Sequence, residues 1–301
     1  YDQLFDALLA NGITPMICLE HYELPGYLLE KYGGWGSKTV VELFVRYAEK
    51  VFARYHPKVT RWFTFNEPIV VQTRVYLDAL RWPYEQNTSI WMQWNYHKVL
   101  ATASVVKRFR ELGYPGTVGC ILNPEVTYPR SRAPHDLRAA EIYDLFYNRM
   151  FLDPLVHGVW PPELLALLEQ HQVTWETSEE DLAVIREHTV DELGINLYYP
   201  HRVKAPSRAW HPHTPFHPAW YYEPFELPGR RMNASRGWEI YPQIIFDMAM
   251  RIKNDYRNIP WFVAESGMGV ENEGQFRNRE GVIDDSYRIR FISEHLWHTL
   301  R

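Results

Sequence analysis

The chain has 301 residues, 46% hydrophobic and 15% aromatic, with 32 Lys and Arg against 37 Asp and Glu for a formal net charge of −5. That length and apolar content suit one large globular domain, and the mild acidity gives no footprint for nucleic acid or a membrane surface. No apolar run reaches membrane-spanning length and nothing resembles a signal peptide. Cys18 and Cys120 both fall in apolar, strand-like runs. They read as small buried hydrophobes in a reduced, cytoplasmic protein.

Taken in chain order, the apolar periodicity alternates between helix and strand. Leu4, Phe5, Leu8 and Leu9 predict a helix over 2–10, ended by Gly12. Ile13 to Leu19 follows as an apolar strand. Val41, Phe44, Val45, Ala48 and Phe52 line one side of a helix over 38–54, and Val59 to Phe65 is the next strand. A long helix over 91–111 leads to a strand from Gly116 to Leu122. Helices over 136–150 and 161–170 precede a strand from Asp191 to Tyr198. A helix over 239–254, a strand from Pro260 to Ala264 and a helix over 285–300 complete the pattern. This alternation argues a parallel α/β sheet. It supplies about five strand–helix units, where a closed (β/α)8 barrel needs eight. The chain opens on Tyr1 inside a helical pattern and stops on another at Arg301. It therefore reads as an internal piece of a larger enzyme, with an open or gapped sheet.

Two carboxylates stand where such folds place their chemistry. Glu67 ends Trp62-Phe63-Thr64-Phe65-Asn66 and precedes Pro68; Glu265 ends Phe262-Val263-Ala264 and precedes Ser266-Gly267. Strand-end carboxylates at one barrel mouth can supply the acid and the nucleophile that cleave a glycosidic bond. The 12 Trp, 20 Tyr and 14 Phe fit a ring-rich core and also a sugar site, where ring faces meet pyranose faces. The segment 200–237 breaks the alternation. It carries Trp210, His211, His213, Phe216, His217, Trp220, Tyr221, Tyr222 and Phe225 after a strand, and is expected to lie over the mouth. The spacing of its three histidines fits no standard zinc pattern. His97, amid apolar helix residues, reads as a buried, hydrogen-bonded histidine. Glu125 and Glu239 have suitable chemistry without a strand-end partner signal. Asp284-Asp285 reads as the acidic start of the last helix.

The chain resembles the family-one glycoside hydrolases, which include β-glucosidases and 6-phospho-β-glycosidases. The resemblance runs through Glu20-His21-Tyr22-Glu23-Leu24-Pro25, Lys31-Tyr32-Gly33-Gly34-Trp35, Thr64-Phe65-Asn66-Glu67-Pro68, Phe151-Leu152-Asp153-Pro154, Gly194-Ile195-Asn196-Leu197-Tyr198-Tyr199, Gly237-Trp238-Glu239-Ile240-Tyr241-Pro242 and Glu265-Ser266-Gly267, in that order. It implies a (β/α)8 TIM barrel, with residues 1–301 a single catalytic-barrel domain truncated at both ends and covering about strands three to seven. It implies a retaining β-glycosidase with Glu67 as acid/base and Glu265 as nucleophile, their carboxyls about 5–5.5 Å apart. Asn66 would reach the sugar 2-hydroxyl and His21 other sugar hydroxyls. Tyr198 would donate to the nucleophile, with Asn196 at the same mouth. No metal or cofactor is implied.

Tyr22, where plain β-glucosidases usually carry Trp, points to 6-phospho-β-glucosides and adds Tyr22 to the substrate-binding set. The stretches 267–271 and 284–289 point the same way. The residues that would hold the phosphate are expected after Arg301. Ser266 departs from the Asn usual after the nucleophile, so local hydrogen bonding there must differ. The expected partner is a small (phospho)disaccharide; the sequence is compatible with a homo-oligomer. A plain β-glucosidase or β-galactosidase, and an inactive sugar-binding relative, are the other readings, and retention of both glutamates argues against the last.

Overall fold

The structure, a computed structural model, describes residues 1–209 and 214–300. Its strands are β1 (Met16–Glu20), β2 (Arg61–Asn66), β3 (Thr117–Leu122), β4 (Thr127–Pro129), β5 (Leu193–Asn196), β6 (His201–Lys204), β7 (Glu223–Pro224), β8 (Met232–Asn233), β9 (Trp238–Glu239) and β10 (Trp261–Glu265). The five predicted strands, β1, β2, β3, β5 and β10, pair in that order into one parallel sheet. Among the described residues the sheet does not close: β1 and β10 each have one partner, and β10 is half-buried along its length while β2 and β5 are buried. All five strands run the same way, so their carboxyl ends share one edge.

The helices follow the apolar faces read from sequence. The helix Lys38–Tyr55 buries Val41, Phe44, Ala48 and Phe52, and Ser37 caps it by accepting from the Thr39 amide. The helix Thr88–Leu112 begins at Asn87, which accepts from the Ile90 amide, and ends on Gly113 in the left-handed conformation. Its buried face reaches Phe109, which meets Phe52 edge to face, and Phe52 in turn meets Trp62 of β2. Gly116, at φ +129°, enters β3 so close to β2 that an added Cβ would lie 2.1 Å from the Thr60 carbonyl oxygen. Only glycine fits that approach.

Proline shifts two boundaries. The first strand starts at Met16 rather than Ile13, since Pro15 offers no ladder donor. The helix expected over 239–254 starts at Gln243, after Pro242, and Glu239 belongs instead to the hairpin β8–β9. The helix expected over 136–150 runs from Pro134 to Asp144 and then loosens into a π-helical turn over Leu145–Arg149 before Met150–His157. Helices Gly26–Tyr32 and Glu179–Glu187 lie outside the predicted set. Cys120 is buried, but Cys18 is only half-buried; both are free thiols, and burial pushes both up to about 12. No helix among the described residues is long and apolar enough to cross a membrane.

The segment 200–237 divides in two; Trp210, His211 and His213 lie outside the described residues. Strands β6 and β7 pair with β4 into a small second sheet beyond the carboxyl edge of the main one. By contrast, Phe216 stacks on His171 at a ring separation of 4.0 Å, and Trp220 meets both rings edge-on. His217 accepts from the Ala219 amide at 2.9 Å and caps a short 3-10 turn.

Candidate active site

Every site residue expected from sequence lies at or just past the carboxyl end of a main-sheet strand: His21 and Tyr22 after β1, Asn66 and Glu67 at β2, Asn196 and Tyr198 at β5, Glu265 at β10. The backbone prepares both carboxylates in a similar way. The β2–β3 register slips between Phe63 and Asn66, and the β10–β5 register slips between Val263 and Glu265. Such slips re-aim the side chains that follow. Glu67 also adopts φ +47°, a left-handed conformation that costs a non-glycine residue roughly 1–3 kcal/mol. Adjacent strand residues normally point to opposite faces. The left-handed turn lets Asn66 and Glu67 face the mouth together, while the Glu67 amide still donates to the Ile121 carbonyl at 2.8 Å.

Asn196 joins the two. Its Nδ2 donates to Glu67 Oε1 at 2.8 Å and to Asn66 Oδ1 at 3.2 Å. Asn66 Nδ2 lies 3.3 Å from His21 Nε2, and the Tyr22 hydroxyl donates to Glu67 Oε2. Tyr198 donates to Glu265 Oε2 at 2.5 Å, and the Leu197 amide donates to the Glu265 carbonyl at 2.9 Å. Burial first, and the carboxylate acceptors second, hold both phenols above the usual tyrosine range. Both tyrosines feel the charge of both glutamates, so one cluster contains the two carboxylates and two neutral O–H donors.

Two buried ionisable residues near the cluster, Lys98 and Glu20, were not singled out from sequence. Lys98 is 1% exposed, and its Nζ donates to the Pro68 carbonyl at 3.0 Å. Gln72 Nε2 donates to the same oxygen at 2.5 Å, so two donors fix the turn after Glu67. Burial lowers the Lys98 pKa and raises that of Glu20; their mutual attraction opposes both shifts.

A cavity of about 490 Å³ opens beside Glu67, Asn196 and Tyr198. Tyr199 and Trp238, stacked at 4.9 Å, form part of its wall, and Tyr222 and Pro224 bring in the segment 200–237. Glu125 lies here too; it stands three residues past Leu122, the end of β3, a placement that counting from the strand end would have found. Glu239 does not: both its carboxylate oxygens accept from Arg202, at 2.7 and 2.8 Å, away from the glutamate pair. His97 is buried, with Nδ1 2.7 Å from the Trp35 carbonyl. Asp285 stands at the N-cap of the last helix, Ser286–Thr299, where its carboxylate accepts from the Arg288 side chain and not from a helix amide.

The sequence model for "Glycosyl hydrolase family 1" matches residues 1–301. The chain belongs to that family. Among curated members, it is 42% identical to "6-phospho-beta-glucosidase GmuD" of Bacillus subtilis (strain 168), over 98% of this chain and 63% of that protein. It is 30% identical to a "6-phospho-beta-glucosidase" of Dickeya chrysanthemi, over 98% of this chain and 61% of that protein. Among solved structures, "Family 1 b-glucosidase from Thermotoga maritima" superposes with a TM-score of 0.85 at 26% identity, covering 99% of this chain and 63% of that one. The chain thus spans under two thirds of the length of these family members, and the open five-stranded sheet accords with that share.

Proposed function

We propose that the protein is a retaining β-glycosidase that hydrolyses 6-phospho-β-glucosides by double displacement, and that residues 1–301 supply about strands three to seven of its (β/α)8 barrel as a single catalytic domain. The observation that carries the glycosidase reading is the pair of strand-end carboxylates, each accepting from a tyrosine hydroxyl, in one polar cluster. In the first step Glu265 attacks the anomeric carbon while Glu67 gives its proton to the departing oxygen. In the second, Glu67 takes a proton from water, and the water oxygen displaces Glu265 from the sugar. Tyr198 donates to the nucleophile and supports its ionised form; Asn66 and His21 face the sugar hydroxyls, with Asn196 aligning Asn66 and Glu67. Neither step calls for a metal or cofactor. A cytoplasmic location would suit a phosphorylated sugar substrate.

The phospho-specific reading rests on Tyr22 after His21 and on the 42% identity to a 6-phospho-β-glucosidase. A plain β-glucosidase is the second reading, favoured by the likeness to the Thermotoga maritima β-glucosidase structure. Rates on an aryl β-glucoside and its 6-phosphorylated form separate them. The phosphorylated substrate is expected to win by about tenfold or more in kcat/KM, the worth of one charged hydrogen bond. Comparable rates would favour the plain β-glucosidase.

A further inference from the structure

The 490 Å³ cavity touches Glu67, Asn196 and Tyr198 but not His21, Tyr22 or Glu265. It therefore opens on the Glu67 side of the cluster, and on the glycosidase reading above, on which this inference rests, that is where the departing group goes. Two of its walls are π-helical turns. Thr73–Leu77 brings Thr73 and Arg74, and Leu145–Arg149 brings Tyr147. Such turns are rare and gather at functional sites.

Arg74 is exposed and lines the cavity; its carbonyl accepts from the Leu80 amide, while its guanidinium makes no hydrogen bond among the described residues and only its charge reaches Asp78 and Tyr199. Its five N–H donors face a space whose other walls already hold acceptors. Asp78 lies on the same segment, and Glu125 is held by the Tyr143 hydroxyl, with His201 Nδ1 at 3.1 Å. Tyr143 also lies 2.9 Å from His201 Nδ1. On the reading above Glu67 is protonated when substrate enters, yet the Asp78 and Glu125 carboxylates still outnumber the single guanidinium at the cavity, so an anion entering it meets net repulsion. A flat apolar group would reach the Tyr199 and Trp238 rings and leave the charged groups unused. A neutral polyol satisfies both: its hydroxyls accept from Arg74 and donate to Glu125 and Asp78, and its C–H face rests on a ring.

We propose that Arg74 is a specificity-determining residue that selects a neutral sugar, over an aryl or an anionic group, as the leaving group. The test uses the intact protein and three substrates that share one glycone: a disaccharide with a neutral reducing sugar, the matching nitrophenyl glycoside, and the matching glycoside of a uronic acid. Arg74→Ala should lower the kcat/KM ratio of disaccharide to nitrophenyl glycoside about tenfold, chiefly through KM. Arg74→Lys should recover part of that ratio, and the uronate should be the poorest sugar leaving group for the unmodified protein. An unchanged ratio, a uniform loss on all three substrates, or a preference for the uronate that disappears in Arg74→Ala would each overturn the assignment. If the unmodified protein cleaves none of the three, the glycosidase reading itself fails, an outcome distinct from cleavage with an unchanged ratio.

Discussion

The strand-end cluster and the adjoining cavity share Glu67 yet are built in opposite ways. In the cluster, strand ends hold the groups, and the polar atoms largely satisfy one another: Tyr22 with Glu67, Asn196 with Glu67 and Asn66, Tyr198 with Glu265. In the cavity the walls come from π-helical turns, a small second sheet and a hairpin, and the Arg74 guanidinium makes no hydrogen bond among the described residues. The first arrangement suits chemistry, which needs fixed geometry before substrate arrives. The second suits recognition, where hydrogen bonds left open by the protein are completed by the ligand.

That contrast breaks most sharply at the carboxylates. Glu265→Ala should reduce turnover of every substrate by more than about a thousandfold, since no covalent intermediate can form. Azide should restore turnover with inverted product, read by NMR of the anomeric proton. Glu67→Ala should cost about a hundredfold to ten-thousandfold on disaccharides and far less on nitrophenyl glycosides, which leave without a proton. Equal losses on both would remove Glu67 from the acid role.

A smaller effect sharpens the cluster side. Tyr198→Phe removes one hydrogen bond to a charged acceptor, a loss of about 1.5–3 kcal/mol. Turnover should fall about tenfold to a hundredfold for disaccharide and nitrophenyl substrates alike. A fall confined to the disaccharide would transfer Tyr198 to the leaving-group side.

The smallest effect belongs to the cavity side. His217, with Nε2 4.0 Å from the cavity residue Asp78, is pushed by burial from 6.5 down to about 4. A folded pKa below the unfolded one means that the unfolded chain takes up the proton first. Its contribution is complete above pH 6.5 and is lost as pH falls from 6.5 toward about 4. Denaturant melts of His217→Gln should show a shallower decline across that window. His97, His171 and His201 are shifted in the same direction by burial, so some decline should persist.

The two regions also differ in how much the sequence revealed. The runs ending at Leu19, Phe65, Leu122, Tyr198 and Ala264 overlap all five strands of the main sheet, because buried parallel strands are continuous apolar runs. Residues at their ends therefore fall on one edge, and His21, Asn66, Glu67, Asn196, Tyr198 and Glu265 could be grouped before any coordinates. The cavity lacks such a local signature. Arg74 sits in an apolar stretch that reads as ordinary helix, and nothing in 145–149 announces a π turn. Glu125 gains its surroundings from Tyr143, 18 residues away, and from His201, farther still along the chain. Lys98 reads as the polar face of a helix, yet it is buried: its Nζ lies over the Phe65 and Trp35 rings and donates to the turn after Glu67. Contacts made across the fold leave no periodicity.

The left-handed backbone at Glu67 sets selection for heat resistance against selection for turnover. Residues that occupy that conformation most cheaply are glycine, asparagine and aspartate; the first two carry no carboxyl, and the third holds its carboxyl one methylene short of glutamate's. Random libraries screened only for thermal survival should thus enrich replacements at position 67 that relax the chain and silence it. A screen that also demands hydrolysis would keep the strained glutamate and draw its stabilising changes from elsewhere in the barrel.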